Sequence, residues 1–104
     1  MTINVNIHDK VGRIEMSGRF DFQVHREFKD AYTKLTDNVA VNEIELEMSK
    51  VDYLDSSALG MLMLLNQRCK TASKALALLN TSAAVTQIFE VANFDKIFNI
   101  KRTN

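Results

Sequence analysis

The chain has 104 residues, of which 46% are apolar and 25% are charged, the size and composition of one globular domain. Thirteen basic residues balance thirteen acidic ones, so charge gives no reason to expect a nucleic acid or an anionic membrane as the partner. No apolar run reaches the roughly 20 residues that cross a bilayer, and the N-terminus lacks a secretory pattern. We therefore expect a single domain, residues 1–104, in the cytoplasm and by default monomeric.

Two strands and a helix are predicted in the first third of the chain. Ile3, Val5 and Ile7 alternate with polar residues, which is typical of a half-buried strand. The segment HDKVG favours a hairpin turn, and RIEM continues a second strand that is expected to end at Gly18. From about Phe22 to Thr36 the apolar residues fall at helical spacing.

The segment EIELEMS separates apolar from charged residues by strict alternation. Its apolar face carries Ile44, Leu46 and Met48, and its other face carries three glutamates, Glu43, Glu45 and Glu47. A strand covered by helices on both faces reads as a continuous apolar run, which this segment does not. We therefore expect a sheet with helices packed mainly on one face and water on the other.

The second half of the chain predicts two more helices and two more strands. A helix follows Asp55 and places its apolar stripe, including a buried Cys69, toward the core. KALALLN reads as a strand, Thr81 or Ser82 caps a third helix, and KIFNI forms a short final strand. The order β-β-α-β-α-β-α-β predicts an α/β domain with a mixed sheet.

The candidate site is the run Asp55-Ser56-Ser57, directly in front of this apolar helix. As a helix cap, Asp55 would accept hydrogen bonds from the backbone N–H groups of Ser57 or Ala58, and Ser56 would contact the helix end. A cap alone would account for these residues. A phosphoryl group on a first-turn serine would also be tolerated there, because the helix dipole favours an anion. Both interpretations remain open from the local sequence.

Catalysis by this chain is not expected. Ser57 lacks the flanking glycines of a nucleophile elbow, and His8 and His25 have no local carboxylate partner and should face solvent. The sequence has neither metal-ligand spacing nor a glycine-rich phosphate loop, so we predict no metal and no cofactor. A phospho-acceptor receiver domain is also excluded, because the first strand runs directly into a hairpin instead of ending in an acidic pair.

The motif D-S-S-A-L-G, Asp55 to Gly60, resembles the signature of STAS domains, and more narrowly that of bacterial anti-sigma factor antagonists. A second family feature is a glycine followed within one or two residues by Leu-Asp. The segment Gly18-Arg19-Phe20-Asp21 is similar to it, with Phe20 in the place of leucine. The resemblance implies an α/β, STAS-like single domain.

The resemblance also implies a function. In that family the second hydroxyl residue of the motif, here Ser57, is phosphorylated by a partner kinase, and the acid matching Asp21 lies nearby. The unphosphorylated protein would bind an anti-sigma factor that is also a serine kinase, and phosphorylation would release it. A metal-dependent serine phosphatase would reset the switch. The alternative is a non-phosphorylated STAS adaptor, or a scaffold that senses a small ligand or lipid.

Two further residues are candidates for the partner surface. Met61 and Leu64 lie outside the main core stripe of a helix that is apolar nearly all round. Such a helix is usually buried, and then both residues belong to the core. If they are exposed instead, they form part of a docking patch, a role that suits methionine.

Overall fold

The computed structural model describes residues 1–103, whose strands form one five-stranded sheet. The strands are β1 (Thr2–His8), β2 (Val11–Phe20), β3 (Glu43–Leu54), β4 (Ala75–Leu79) and β5 (Asn99–Lys101). They lie side by side in chain order, with β1 antiparallel to β2 and every other neighbouring pair parallel. The mixed sheet predicted from the sequence is confirmed.

Each parallel pair of strands is connected through a helix. The helices are α1 (His25–Thr36), α2 (Ser56–Thr71) and α3 (Ala83–Val91), with short 3-10 helices at Phe22–Val24 and Phe94–Lys96. The order of elements is as predicted, but KIFNI is only partly a strand. Its first residue closes the second 3-10 helix, and pairing with β4 begins only at Asn99.

The two faces of the sheet differ in the way that the alternation of β3 predicts. Ile44, Leu46 and Met48 are fully buried and join the core formed with the three helices. The glutamates that alternate with them remain partly exposed, and Glu45 accepts a hydrogen bond of 3.4 Å from Arg13 on β2. Helices therefore cover one face, which confirms the expected layering.

Gly18 does not end β2, contrary to the prediction. The strand continues through an irregularity at Gly18, whose φ of +100° is strained for residues with a side chain, and reaches Phe20. Phe20 is fully buried and packs on Phe28 of α1, with ring centroids 4.9 Å apart. This extension carries Asp21 to the same edge of the sheet as the end of β3.

Candidate phosphorylation and partner-binding site

The candidate site lies where the parallel strands β2 and β3 end side by side. Asp21 directly follows β2, and Asp55 directly follows β3. The backbone N–H of Asp55 donates to the carbonyl oxygen of Phe20 across 3.3 Å, which ties the two strand ends together. Two carboxylates and the start of α2 are thus placed together at the carboxyl ends of these strands, where parallel α/β sheets commonly form their sites.

Asp55 is the N-cap of α2, as the sequence predicts. Its backbone is extended, and its carboxylate oxygen Oδ1 accepts from the backbone N–H of Ala58 across 2.9 Å. This bond satisfies one of the donors that the first turn of a helix leaves free. The cap also fixes the direction in which the next two side chains leave the helix.

The two serines differ in exposure although they are neighbours. Ser56 is exposed, whereas Ser57 is half-buried between Ser56 and the fully buried Ala58. The one side-chain hydrogen bond found in this turn, within residues 1–103, is that of Asp55. The hydroxyl of Ser57 is therefore not committed to a structural hydrogen bond, and every buried side-chain polar atom in the described part is satisfied.

Asp21 is held by its own local contacts. It caps the first 3-10 helix by accepting from the backbone N–H of Gln23 across 3.0 Å. Its other oxygen lies 3.7 Å from Nε of Arg19, whose guanidinium carbon lies 4.2 Å from the ring centre of Tyr53. The carboxylate of Asp21 is mostly shielded while Arg19 is largely exposed, so this pair forms a fixed acidic corner with a displaceable cation.

Met61 and Leu64 separate into the two alternatives. Met61 is only 4% exposed, so of the two alternatives burial in the core holds for it and the docking role is wrong. Its position lies within the angular range of the buried stripe of α2, which comprises Ala58, Met61, Leu62, Leu65 and Cys69. Leu64 lies on the flank of that stripe and is 51% exposed, which leaves it available to a partner.

His25 of α1 lines a surface pocket together with Leu64, and two further exposed apolar residues were not singled out by the sequence. Phe22 is 68% exposed and stacks on the exposed His25, with ring centroids 5.8 Å apart, and Met63 is 40% exposed. His8 is exposed as well, so both histidines face solvent as predicted. The expectation that His8 lacks a local carboxylate partner is wrong, because its Nε2 lies 3.5 Å from Oδ2 of Asp9. No periodicity in the sequence could reveal Phe22, because its exposure depends on the 3-10 turn that follows Asp21.

Gly60 adds a bare stretch of backbone to the same flank. It is exposed, and a Cβ atom built on it meets no other atom within 4 Å. Packing within this chain therefore does not require glycine here. Ser57, Gly60 and Leu64 are spaced at i, i+3 and i+7, so they share one face of α2.

Burial clearly raises the pKa of two side chains that belong to the structure of the domain and not to the candidate site. Burial raises the pKa of the Cys69 thiol to about 11, although Lys74 opposes this, so the side chain stays protonated and unreactive. Burial likewise raises the pKa of Tyr32 on α1, with Arg68 opposing it.

Within residues 1–103, no group of three or more His, Cys, Asp and Glu side chains is placed to hold a metal ion. None of the helices in that range combines the length and apolar character needed to cross a bilayer.

Comparison with known families agrees with the fold and the motif. The family model described as Mlab, STAS domain matches residues 3–100. A STAS-domain containing protein of Pseudomonas aeruginosa is 37% identical over 87 residues, which is 84% of each chain. The chain therefore belongs to the STAS domain family, and the resemblance inferred from D-S-S-A-L-G is confirmed at that level.

Solved structures of related domains share the architecture. An anti-sigma-factor antagonist (STAS) domain protein from Planctomyces limnophilus superimposes with a TM-score of 0.86 at 16% identity, over 98% of this chain and 91% of that one. SpoIIAA of Bacillus in its phosphorylated form gives a TM-score of 0.78 at 14% identity, over 99% and 92% of the two chains. At such identities the similarity establishes the fold.

Proposed function

We propose that this STAS domain is an anti-sigma factor antagonist whose binding is switched by phosphorylation of Ser57. The observation that carries the proposal is the position of Ser57. It lies in the first turn of α2, half-buried, directly after the capping Asp55 and at the sheet edge that also holds Asp21. Two comparisons support this assignment: the chain belongs to the STAS family, and its structural neighbours include the phosphorylated form of SpoIIAA.

In the unphosphorylated state the domain binds an anti-sigma factor that is also a serine kinase, and so frees the sigma factor. The bound kinase transfers the γ-phosphoryl group of ATP to Oγ of Ser57. The new O–P bond replaces the bond to ADP, and a base of the kinase takes the hydroxyl proton. A metal-dependent serine phosphatase hydrolyses the ester. This chain acts as binding partner and substrate, so it needs no catalytic group of its own. Because the phosphoryl donor is ATP, the proposed switch operates in the cytoplasm.

The phosphate changes binding without unfolding the domain. It brings roughly −1.5 to −2 charges, which the positive end of α2 tolerates. A unit charge about 5 Å from a carboxylate is repelled by ~1 kcal/mol in water and ~3 kcal/mol in less polar surroundings. These charges also repel each other in the free protein, so an interface that encloses them is weakened by the increase of ~2 kcal/mol, which corresponds to about thirtyfold.

The partner contacts the exposed flank of α2 next to Ser57. Leu64 supplies an apolar side chain, Gly60 leaves room for close approach of a backbone, and Phe22 extends the apolar area from the neighbouring turn. Arg19 is the exposed cation at this corner and offers a site for an acidic group. The surface combines an apolar contact area with a serine that can be phosphorylated and dephosphorylated, as a reversible protein switch requires.

Matched variants test the switch. Ser57→Ala used as bait should capture an anti-sigma factor from its own cells, and Ser57→Asp should lose it, because the added charge repels the complex. Ser56→Asp places the same charge on the neighbouring exposed side chain and serves as the control. The captured protein, purified and given ATP, should phosphorylate wild-type protein on Ser57 and then dissociate. Equal capture by Ser57→Ala and Ser57→Asp would favour the non-phosphorylated adaptor.

A further inference from the structure

β1 is an edge strand whose outer side pairs with no strand of residues 1–103. Edge strands expose a row of N–H and C=O groups that can pair with another chain, and most proteins protect them with proline, lysine or a bulge. β1, with the sequence TINVNIH, has neither proline nor lysine, and its pairing with β2 is regular over all seven residues. This edge is long, regular and unprotected.

The turn after β1 determines which backbone groups face the free edge. A two-residue turn, Asp9-Lys10, joins His8 to Val11, and Asp9 has the positive φ of 56° that tight hairpins use. The pair flanking such a turn is hydrogen-bonded, and hydrogen-bonded and non-hydrogen-bonded pairs then alternate along the hairpin. Ile3, Val5 and Ile7 consequently direct their N–H and C=O groups away from β2.

We propose that this edge is a homodimer interface, in which β1 pairs antiparallel with β1 of a second copy around a two-fold axis at Val5. The sequence is self-complementary in this register. Val5 lies opposite its own copy, Ile3 opposite Ile7, Asn4 opposite Asn6, and Thr2 opposite His8. All seven residues are paired, apolar against apolar on one face and polar against polar on the other.

The backbone orientation fits the same register. Three pairs, Val5 with its copy and Ile3 with Ile7 in both directions, become hydrogen-bonded pairs that each exchange two bonds. They use the N–H and C=O groups that the hairpin leaves free. A shift of the two-fold axis to Asn4 or Asn6 would leave part of the strand unpaired. The proposed register is therefore the one that satisfies the edge most completely.

Burial and charge also favour a second copy. Ile7 is 51% exposed although it lies on the helix-covered side of the sheet, and the partner's Ile3 would cover it. Among the seven residues of β1 only His8 is ionisable, and the whole chain carries no net charge, so copies do not repel each other. The proposal is independent of Ser57, which lies on α2.

Measurement of molar mass against concentration tests the dimer. Sedimentation equilibrium of wild-type protein should show a monomer–dimer equilibrium, and Ile7→Lys should raise the dimer dissociation constant by roughly tenfold or more, because the lysine would face an isoleucine. Ile97→Lys is the matched control, since Ile97 is 43% exposed and lies outside β1. Circular dichroism checks that both variants fold. A wild-type monomer at every concentration would overturn the proposal.

Cysteine pairing tests the register. Asn4 and Asn6 of opposite copies form a non-hydrogen-bonded pair with Cα atoms about 4.5 Å apart, which a disulfide spans. Asn4→Cys mixed with Asn6→Cys should form a disulfide-linked dimer under mild oxidation, and either variant alone should not. The native Cys69 is buried and contributes no background. Equal cross-linking in all samples, or in a control mixture of Thr2→Cys with Asn4→Cys, would reject this pairing.

Discussion

Gly60 is a residue that the fold alone does not explain. Glycine within a helix costs about 1 kcal/mol relative to alanine, and a Cβ atom at position 60 would meet no other atom of residues 1–103 within 4 Å. Its position on the face of Ser57 and Leu64 suits a role in binding, because a bare backbone lets a partner approach closely. Stability and the proposed binding role then place opposite demands on this position.

Gly60→Ala should therefore change stability and binding in opposite directions. We expect the free energy of unfolding to rise by about 1 kcal/mol and the affinity for the captured anti-sigma factor to fall. Urea denaturation and titration with the partner measure the two quantities. Lys70→Ala, on an exposed position of α2 away from this face, should leave the affinity unchanged. An unchanged affinity of Gly60→Ala would remove Gly60 from the proposed surface.

At the scale of elements, α2 combines a core helix with the proposed binding surface. Met61 and Leu64 are three residues apart, yet one is 4% and the other 51% exposed. Met61→Ala should lower the free energy of unfolding by about 2–5 kcal/mol, because it leaves a cavity in the core. Leu64→Ala should change stability by less than about 0.5 kcal/mol and weaken partner binding instead. Denaturant titrations of both variants decide this, and equal losses would be inconsistent with the observed packing.

Parts of the fold and of the candidate site were predictable from the sequence, as β3 and α2 illustrate. Alternation in β3 determined the one-sided sheet, because three glutamates cannot lie under helices. The capping role of Asp55 was equally readable, since an acid before an apolar helix has a local physical reason. The exposure of Leu64 was not, because a helix that is apolar nearly all round carries no periodic signal of which side faces water.

The extension of β2 past Gly18 was also beyond the sequence. Glycine often ends a strand, but here it adopts a positive φ within an irregular register, and the strand continues because Phe20 gains a buried position. That tertiary gain outweighs the local preference. It also brings Asp21 to the candidate site, so the geometry of the site depends on a feature that only the packed structure reveals.

In the molecule as a whole, the proposed phosphosite and the proposed dimer interface lie on different parts of the sheet. The helices bury one face, and the strand ends of β2 and β3 present Asp21, Asp55 and Ser57 at one edge. The first strand leaves a second, lateral edge free for pairing. A charge added at Ser57 therefore lies on the rim of an intact domain, where it can alter a contact while the core remains packed.

The proposed switch requires that Ser57 carries a phosphate in the living cell. The most direct measurement is intact-mass spectrometry of the protein purified from its own cells during growth and under stress, with fragmentation to locate any phosphate. We predict one phosphate on Ser57, present in a fraction that changes with condition and absent from Ser57→Ala. Protein that remains unmodified in both conditions, or a phosphate located only on another residue, would contradict the account.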